Sequence, residues 1–221
     1  MGKIHIPAHT TDDWRWFWTD PLAQWRSDDA AKQLAERWQG ADDFPPSVRR
    51  ALQASGPIFS EARMMLGIPD RPLPLPGNGA ASRSELFVLA RVGAGLAVFT
   101  VEGTITESFG PTIEEWGPDQ TEGHQTRFDA LTEALGLEGV GLMPIRYRLL
   151  SRAAAVLRIA QEFCACCAVL LIHSFDPDNA LFEDYREFVH LFGTQAQVGR
   201  ISLLTRREGI YLYAGWVQEH R

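Results

Sequence analysis

The first quarter of the chain has the spacing of apolar residues that is typical of amphipathic helices. A helix is predicted from its capping residue Ser27 through Gln39, because apolar residues recur there every three or four positions. Paired prolines predict a second helix over 45–56, and 58–66 is predicted to form a short third helix that carries Glu61. We therefore expect residues 1–68 to be mainly helical.

The aromatic residues near the N-terminus fit two structures. A short strand is predicted over residues 3–7. After it, a helix would place Trp14, Phe17 and Trp18 on one face, whereas a strand would do the same for Trp14, Trp16 and Trp18. At either spacing, such residues are more often part of a core than a surface for stacking bases.

The middle of the chain has the pattern of a β-hairpin. Two apolar stretches, 86–90 and 96–101, flank Gly93-Ala94-Gly95. Before them, four prolines between residues 69 and 76 predict extended chain with little regular pairing.

The rest of the chain alternates between helical and strand patterns. A buried strand is predicted over 166–172, and helices and strands around it complete a mixed central sheet. The fold class is therefore α/β (α+β), with a mixed sheet, flanking helices and a helical N-terminal region. The other predicted elements are helices over 125–135 and 145–163, a helix after the turn at 176–179 through Phe192, and strands over 200–204 and 210–217.

Composition and charge narrow the class of protein. No linker rich in Ser, Gly or Pro divides the 221 residues, so we expect one domain over 1–221. A formal net charge of −7 disfavours a broad nucleic-acid-binding surface, although a local basic groove is compatible with it. The three cysteines, Cys164, Cys166 and Cys167, lie in one apolar stretch that is too short to span a bilayer. We expect buried, structural cysteines in a cytoplasmic protein that does not associate with membranes.

The hairpin also predicts where two acids lie. With a two-residue loop, Glu85 lies opposite Glu102 if the loop is Gly93-Ala94, or opposite Thr104 if it is Ala94-Gly95. Glu85, Glu102 and Thr104 share one face in either register, because side chains alternate along a strand. A three-residue loop would separate them.

Two carboxylates on one face of a hairpin can hold a cation. Their Cβ atoms would lie about 5 Å apart, so they repel each other unless positive charge lies between them. Mg²⁺ or Mn²⁺ suits such a pair, because Mg²⁺ is commonly held by one or two carboxylates and water. The alternative is a pair of solvated acids.

These residues resemble the acid…Glu-x-Lys core of the PD-(D/E)xK nucleases. The similarity lies in an acid on a strand, a hairpin, Val101-Glu102-Gly103-Thr104-Ile105, a helix and an apolar strand. The resemblance implies a restriction-endonuclease-like core over 84–175, followed by a C-terminal helix and hairpin over 176–221. It implies that Glu85 and Glu102 are catalytic metal ligands and that Glu61 is a third.

A closer similarity extends over nearly the whole chain. An uncharacterised bacterial domain family placed in the same superfamily has similar motifs, which implies the same core and leaves the function open. The motifs are Val101-Glu102-Gly103, Glu107-x-Phe109-Gly110-Pro111, Trp116, Pro144-Ile145-Arg146-Tyr147 and His173-Ser174-Phe175.

The pattern departs from the superfamily at Thr104, which stands where the resemblance implies a catalytic lysine. A hydroxyl cannot supply positive charge to the transition state, so a large loss of rate is expected unless another cation reaches the site. Lys3 and Lys32 are the only lysines, and both lie far away in sequence.

Arginines and a histidine near the core are further candidates. Arg146, Arg148 and Arg152 could contact phosphates, or could form a solvated basic edge of the helix. His173 ends the apolar strand and is expected to be buried and hydrogen-bonded. The alternative is a small-molecule enzyme centred on His173 and the helix arginines.

Taken together, these residues predict a PD-(D/E)xK nuclease-like protein with a degenerate active site. It would be a weakly active or inactive phosphodiesterase dependent on Mg²⁺ or Mn²⁺. The alternative is a noncatalytic protein-interaction module, for example one that acts in phage defence or in mobile elements.

Overall fold

A six-stranded mixed sheet forms the middle layer of the protein, with helices packed on both faces. The fold was obtained as a computed structural model, which describes residue 4 and residues 8–17, 29–75 and 82–219. The predicted α/β class with a mixed sheet and flanking helices is confirmed.

The strands have the order β1-β2-β3-β4-β6-β5 across the sheet. β1, β2 and β3 form an antiparallel meander, whereas β4 runs parallel to both β3 and β6. β4 is buried along its whole length because it lies in the centre and is covered on both faces. The strands are β1 (Arg63–Leu73), β2 (Ser82–Val92), β3 (Gly95–Thr104), β4 (Cys167–Ser174), β5 (Arg200–Arg207) and β6 (Ile210–Gln218).

The helices divide between the two faces. α1, α2 and α3 contribute to one apolar cluster, and α5, α6 and α7 contribute to the other. α6 is the last helix of the connection between β3 and the parallel strand β4, and its residue Arg152 contacts Glu102 near the C-terminal end of β3. The helices are α1 (Ala30–Gln39), α2 (Pro46–Ala54), α3 (Pro57–Ser60), α4 (Ile113–Trp116), α5 (Glu122–Leu135), α6 (Tyr147–Glu162) and α7 (Phe182–His190).

The prediction for the segment before the hairpin was wrong. Instead of a helix over 58–66 and unpaired extended chain after it, α3 ends at Ser60 and β1 pairs with β2 through Pro69 and Pro72. β1 is an edge strand of the sheet, where the missing N–H of proline is tolerated on the open side. Only part of 1–68 is therefore helical.

The N-terminal aromatic residues form a 3₁₀ helix over Thr11–Phe17, in which Trp14 is buried and Trp16 is exposed. Trp18 and the predicted cap at Ser27 lie outside the described residues. Of the predicted strand at 3–7, only Ile4 is described, and it forms a bridge to Gly67 of β1.

The cysteines differ in exposure. Cys167 is buried as predicted, whereas Cys166 is only partly buried and Cys164 is exposed. Cys164 lies in the turn between α6 and β4 with a φ of 50°, and this turn points it away from the core. Among the described residues, no helix has the length and hydrophobicity needed to cross a membrane.

Candidate active site

The hairpin between β2 and β3 has the first of the two registers considered from sequence. Val92 pairs with Gly95 across the loop Gly93-Ala94, and the ladder continues to Leu86 opposite Val101. The paired ladder ends there, and one more step in the same register would place Glu85 opposite Glu102. The two acids thus meet at the end of the hairpin that faces away from its loop.

Glu102 and Thr104 both point toward the face covered by α6. Alternate residues of β3, including Phe99 and Val101, pack against the layer of α1 and α2, and Val98 packs under α6. Glu102 is 2% exposed and Thr104 is 3% exposed. The chain therefore places a carboxylate within an otherwise apolar interface, where a charge needs a partner.

Arginines of α6 provide that partner. Nε of Arg152 donates to Oε1 of Glu102 at 2.8 Å, and Nε of Arg148 lies 3.9 Å from Oε2. The two arginines are four residues apart, so they lie on the same face of the helix. Oε2 of Glu102 is buried and has no hydrogen-bond partner among the described residues.

Glu85 is held by the backbone of β3. Its Oε2 accepts a hydrogen bond from N–H of Gly103 at 2.7 Å. A Cβ at Gly103 would lie 2.9 Å from that oxygen and 3.0 Å from the carbonyl oxygen of Ala30 at the start of α1. Glycine therefore lets α1 and the Glu85 carboxylate approach β3 together.

The two acids interact electrostatically. Burial raises the pKa of Glu85 to about 7 and the negative charge of Glu102 adds to the rise, although Arg148, the Gly103 N–H and Arg152 oppose it. The pKa of Arg148 is raised despite its burial, because Glu102, Glu85 and Glu107 stabilise the charged guanidinium. The site is thus a compact mixture of acids and arginines.

Thr104 presents a hydroxyl to the same region. Its Oγ1 is buried without a hydrogen-bond partner among the described residues, while its carbonyl oxygen accepts from N–H of Phe175 at 2.8 Å. The backbone of Thr104 thus links β3 to the end of β4. Its side chain adds a polar atom and no charge.

Two of the residues expected at the site lie elsewhere. Glu61 is exposed at the end of α3, two residues before Arg63, which pairs with Arg91 of β2. Arg91 is six residues from Glu85, or about 20 Å along the strand, so Glu61 cannot share an ion with the hairpin acids. Arg146 donates to Asp184 of α7 at 3.0 Å and to the carbonyl oxygen of Gly110 at 3.0 Å. It holds α7 and a loop, and two of its nitrogens are engaged there.

Comparison with known proteins gives one match. Residues 7–221 match the family described as Domain of unknown function (DUF6946). The chain belongs to this family. No curated protein and no solved structure matches the chain.

In this member of the family, His173 lies on the face of the sheet opposite the arginines. Nε1 of Trp38 donates to Nδ1 of His173 at 3.1 Å, so the proton of the neutral ring is on Nε2, which lies 3.0 Å from Oε2 of Glu219. Ser47 also donates to that carboxylate oxygen. The prediction of a buried, hydrogen-bonded histidine is confirmed, and no shared site with Arg148 is formed.

The network around His173 shifts two pKa values. Burial lowers the pKa of His173, although Glu219 opposes the change. Burial alone would raise the pKa of Glu219, but hydrogen bonds from His173 and Ser47 lower it to about 2. Ser47 donates to the carboxylate and His173 keeps its proton on Nε2, so this is a structural network without an activated nucleophile.

Whether a divalent ion fits depends on which carboxylate oxygens of Glu85 and Glu102 are available as ligands. Each carboxylate has one oxygen held by the protein, and the second oxygen of Glu102 is buried without a hydrogen-bond partner. No group of three or more His, Cys, Asp or Glu side chains suited to a metal occurs in the part of the chain that the structure describes. Mg²⁺ is commonly held by one or two carboxylates together with several waters, and two acids are present here.

Sequence reasoning did not foresee two features of this site. No role was predicted for Gly103, although its N–H binds Glu85. Arg152 was predicted either to contact phosphates or to form a solvated basic edge, whereas the structure pairs it with Glu102. The four-residue spacing of Arg148 and Arg152 on the helix that follows β3 is the signal that could have indicated this pairing.

Proposed function

We propose that this protein is a PD-(D/E)xK nuclease-like protein with a degenerate active site, which retains a weak metal-dependent phosphodiesterase activity. The observation that carries the proposal is the proximity of Glu85 and Glu102, whose charges interact, with a carboxylate oxygen of Glu102 that is buried without a hydrogen-bond partner. The hairpin of β2 and β3, followed by a helical segment that ends in α6 and by the parallel strand β4, supports it, since the resemblance implies a hairpin, a helix and an apolar strand in this order.

Glu85 and Glu102 would hold one Mg²⁺ or Mn²⁺, and a bound ion of this kind polarises a phosphoryl oxygen and lowers the pKa of its water. The chain's own groups orient these acids. The Gly103 N–H fixes one oxygen of Glu85, and Arg152 fixes one oxygen of Glu102. Hydrogen bonds to the second oxygen of a metal-binding carboxylate are the usual way in which proteins orient such ligands.

Three properties make the expected activity weak. Arg152 already neutralises Glu102, so an ion gains less from binding there. Thr104 cannot stabilise developing negative charge. The net charge of −7 opposes the approach of a polyanion.

The proposal is tested with the purified wild-type protein and its Glu102→Gln variant. Both are incubated with single- and double-stranded DNA and with RNA in Mn²⁺, and both are titrated with Mn²⁺ by calorimetry. We expect slow cleavage and weak binding by the wild type, and loss of both in Glu102→Gln. The matched control is Glu138→Gln, an exposed acid in the loop after α5, which should behave as the wild type does.

A noncatalytic protein-interaction module is the second candidate, and the Arg152–Glu102 pair favours it because it satisfies the acid without an ion. The half-exposed apolar residues Val140 and Met143, in the loop before α6, would then form part of the contact surface. If the wild type neither binds Mn²⁺ nor cleaves any of the nucleic acids, the phosphodiesterase proposal is wrong and this candidate replaces it.

A further inference from the structure

The two arginines of α6 serve Glu102 in different ways. Arg152 is only 9% exposed and makes a direct hydrogen bond at 2.8 Å, which ties it to Oε1. Arg148 is 39% exposed, and its Nε lies 3.9 Å from Oε2, beyond hydrogen-bonding distance. Arg152 is thus a fixed partner of the carboxylate, whereas Arg148 is a loosely held counter-ion.

Arg148 faces the oxygen that a divalent ion would use. Oε2 of Glu102 is buried and has no hydrogen-bond partner, so Arg148 balances its charge without occupying its lone pairs. A cation bound at this oxygen would lie close to the guanidinium and repel it. The two positive charges therefore compete for one carboxylate oxygen.

The surroundings of Arg148 allow its guanidinium to move away from Glu102. The acids that act on it are Glu102, Glu85 and Glu107, and Glu107 is exposed in the segment after β3. A long arginine side chain that is already partly in solvent can move its charged end outward while its stem stays packed on the helix. Once its guanidinium no longer faces Glu102, Arg148 can donate hydrogen bonds to an anion that lies beside the bound ion.

We propose that Arg148 is an exchangeable counter-ion of Glu102, which a divalent ion displaces and which then binds an anionic phosphodiester group of the substrate. The inference rests on the proposed role of Glu85 and Glu102 as metal ligands. In this inference, Arg148 supplies the positive charge that a threonine at position 104 cannot provide to the substrate. The inference also predicts that each ligand raises the affinity for the other. The metal displaces Arg148 from Glu102, and a bound phosphodiester group keeps Arg148 away from Glu102.

The test is the affinity for Mn²⁺ alone, measured by calorimetry on the full chain without any substrate. Arg148→Met removes the competing charge and keeps the packing of the stem, so it should bind Mn²⁺ about tenfold more tightly than the wild type. Arg158→Met, which removes an exposed arginine from the same helix, should leave the affinity unchanged. Arg148→Met combined with Glu102→Gln should lose the gain. Circular dichroism checks that each variant is folded.

A second measurement addresses the anion. In a single-stranded deoxyoligonucleotide with phosphorothioate linkages, which resist hydrolysis, the backbone keeps its charge. The wild type should bind Mn²⁺ several-fold more tightly when this oligonucleotide is present. Arg148→Met should show a smaller increase or none, because the group that couples the two ligands is gone.

The outcomes separate this inference from the proposed function. If the wild type binds Mn²⁺ and Arg148→Met binds it no more tightly, Arg148 is not a competing counter-ion, while the metal site stands. If only Arg148→Met binds Mn²⁺, the ion does not displace Arg148 from the wild-type protein, and the inference is wrong. If neither protein binds Mn²⁺, the inference and the metal-dependent function are both wrong.

Discussion

The cost of burying the Glu102 carboxylate depends on the partners of its two oxygens. Removing a carboxylate from water is costly, and an ion pair repays that cost only when its geometry is good and its other lone pairs are satisfied. Arg152 satisfies one oxygen of Glu102, and the second has no hydrogen bond. The residue is therefore held firmly at one oxygen, while its other oxygen is buried without a hydrogen bond.

Replacement of Arg152 by methionine should destabilise the protein strongly. It leaves Glu102 charged and buried beside only the looser Arg148, and breaking a buried pair in this way costs about 3–5 kcal/mol. Adding Glu102→Gln to Arg152→Met should restore much of the lost stability, because the neutral amide is less costly to bury. Urea unfolding of the wild type, both single variants and the double variant measures this coupling. Additive effects of the two substitutions would show that the pair does not act as a unit.

At the scale of the elements, the close approach of α1 to β3 shapes the site. Gly103 lies where the start of α1 and the Glu85 carboxylate both contact β3, so the hairpin end, the helix and the acid are packed as one unit. The edge strand β1 lies further out and tolerates two prolines. The meander is therefore most tightly constrained at β3, where the candidate ligands lie.

Gly103→Ala should lower the free energy of unfolding by about 1–3 kcal/mol, which is typical of overpacking in a filled interior. The added methyl group would lie 3.0 Å from the carbonyl oxygen of Ala30, which is backbone and cannot rotate away. Chemical denaturation measures the loss. Gly141→Ala is the control, because nothing lies within 4 Å of its added Cβ and the φ of Gly141 is ordinary. Equal stability of the two variants would contradict the close packing at Gly103.

At the scale of the whole molecule, His173 connects the helical layer to the sheet and the end of the chain. It bonds Trp38 of α1 and Glu219 after β6, and Glu219 in turn accepts from Ser47 of α2. The face of α1 and α2 is thus attached through buried polar groups as well as through its apolar cluster. Protonation of His173 would remove the acceptor that Trp38 needs.

Stability at mildly acidic pH should depend on His173. Its folded pKa lies below 6.5, so the unfolded chain takes up this proton first and the contribution of the neutral histidine is lost as the pH falls through about 6.5. Glu85 acts in the opposite sense, because its folded pKa of about 7 lies above 4.5 and the folded protein binds that proton first. The measurement is therefore the difference in stability between the wild type and His173→Gln.

At pH 7 the wild type should be the more stable of the two, by about 1–3 kcal/mol, since the variant disturbs a buried hydrogen-bond network. The difference should shrink as the pH falls from 7 to 5, and thermal unfolding at each pH follows it. A difference that stays constant over this range would show that His173 does not titrate between the folded and unfolded states. Glu219 contributes only at lower pH, because its pKa falls from 4.5 to about 2 on folding.

Local patterns were sufficient to predict several elements. The hairpin was predicted in two possible registers, and the structure has one of them. Such a prediction is possible because turn residues and apolar positions define a hairpin within a few residues. The helix α6 and the buried strand β4 were predicted for the same reason. The segment 58–73 was predicted wrongly, because the tolerance of its prolines depends on its place at the edge of the sheet.

The amino-acid sequence by itself predicted a hairpin that brings Glu85 near Glu102, and it shows a threonine at position 104. The partners of Glu102 were decided by the tertiary structure. Arg152 is 50 residues from Glu102 in sequence, and it reaches the acid because the crossover from β3 to β4 lays α6 over that face of the sheet. Local periodicity shows which side of a helix is buried. Only the packing of one layer on another shows which charge that side meets.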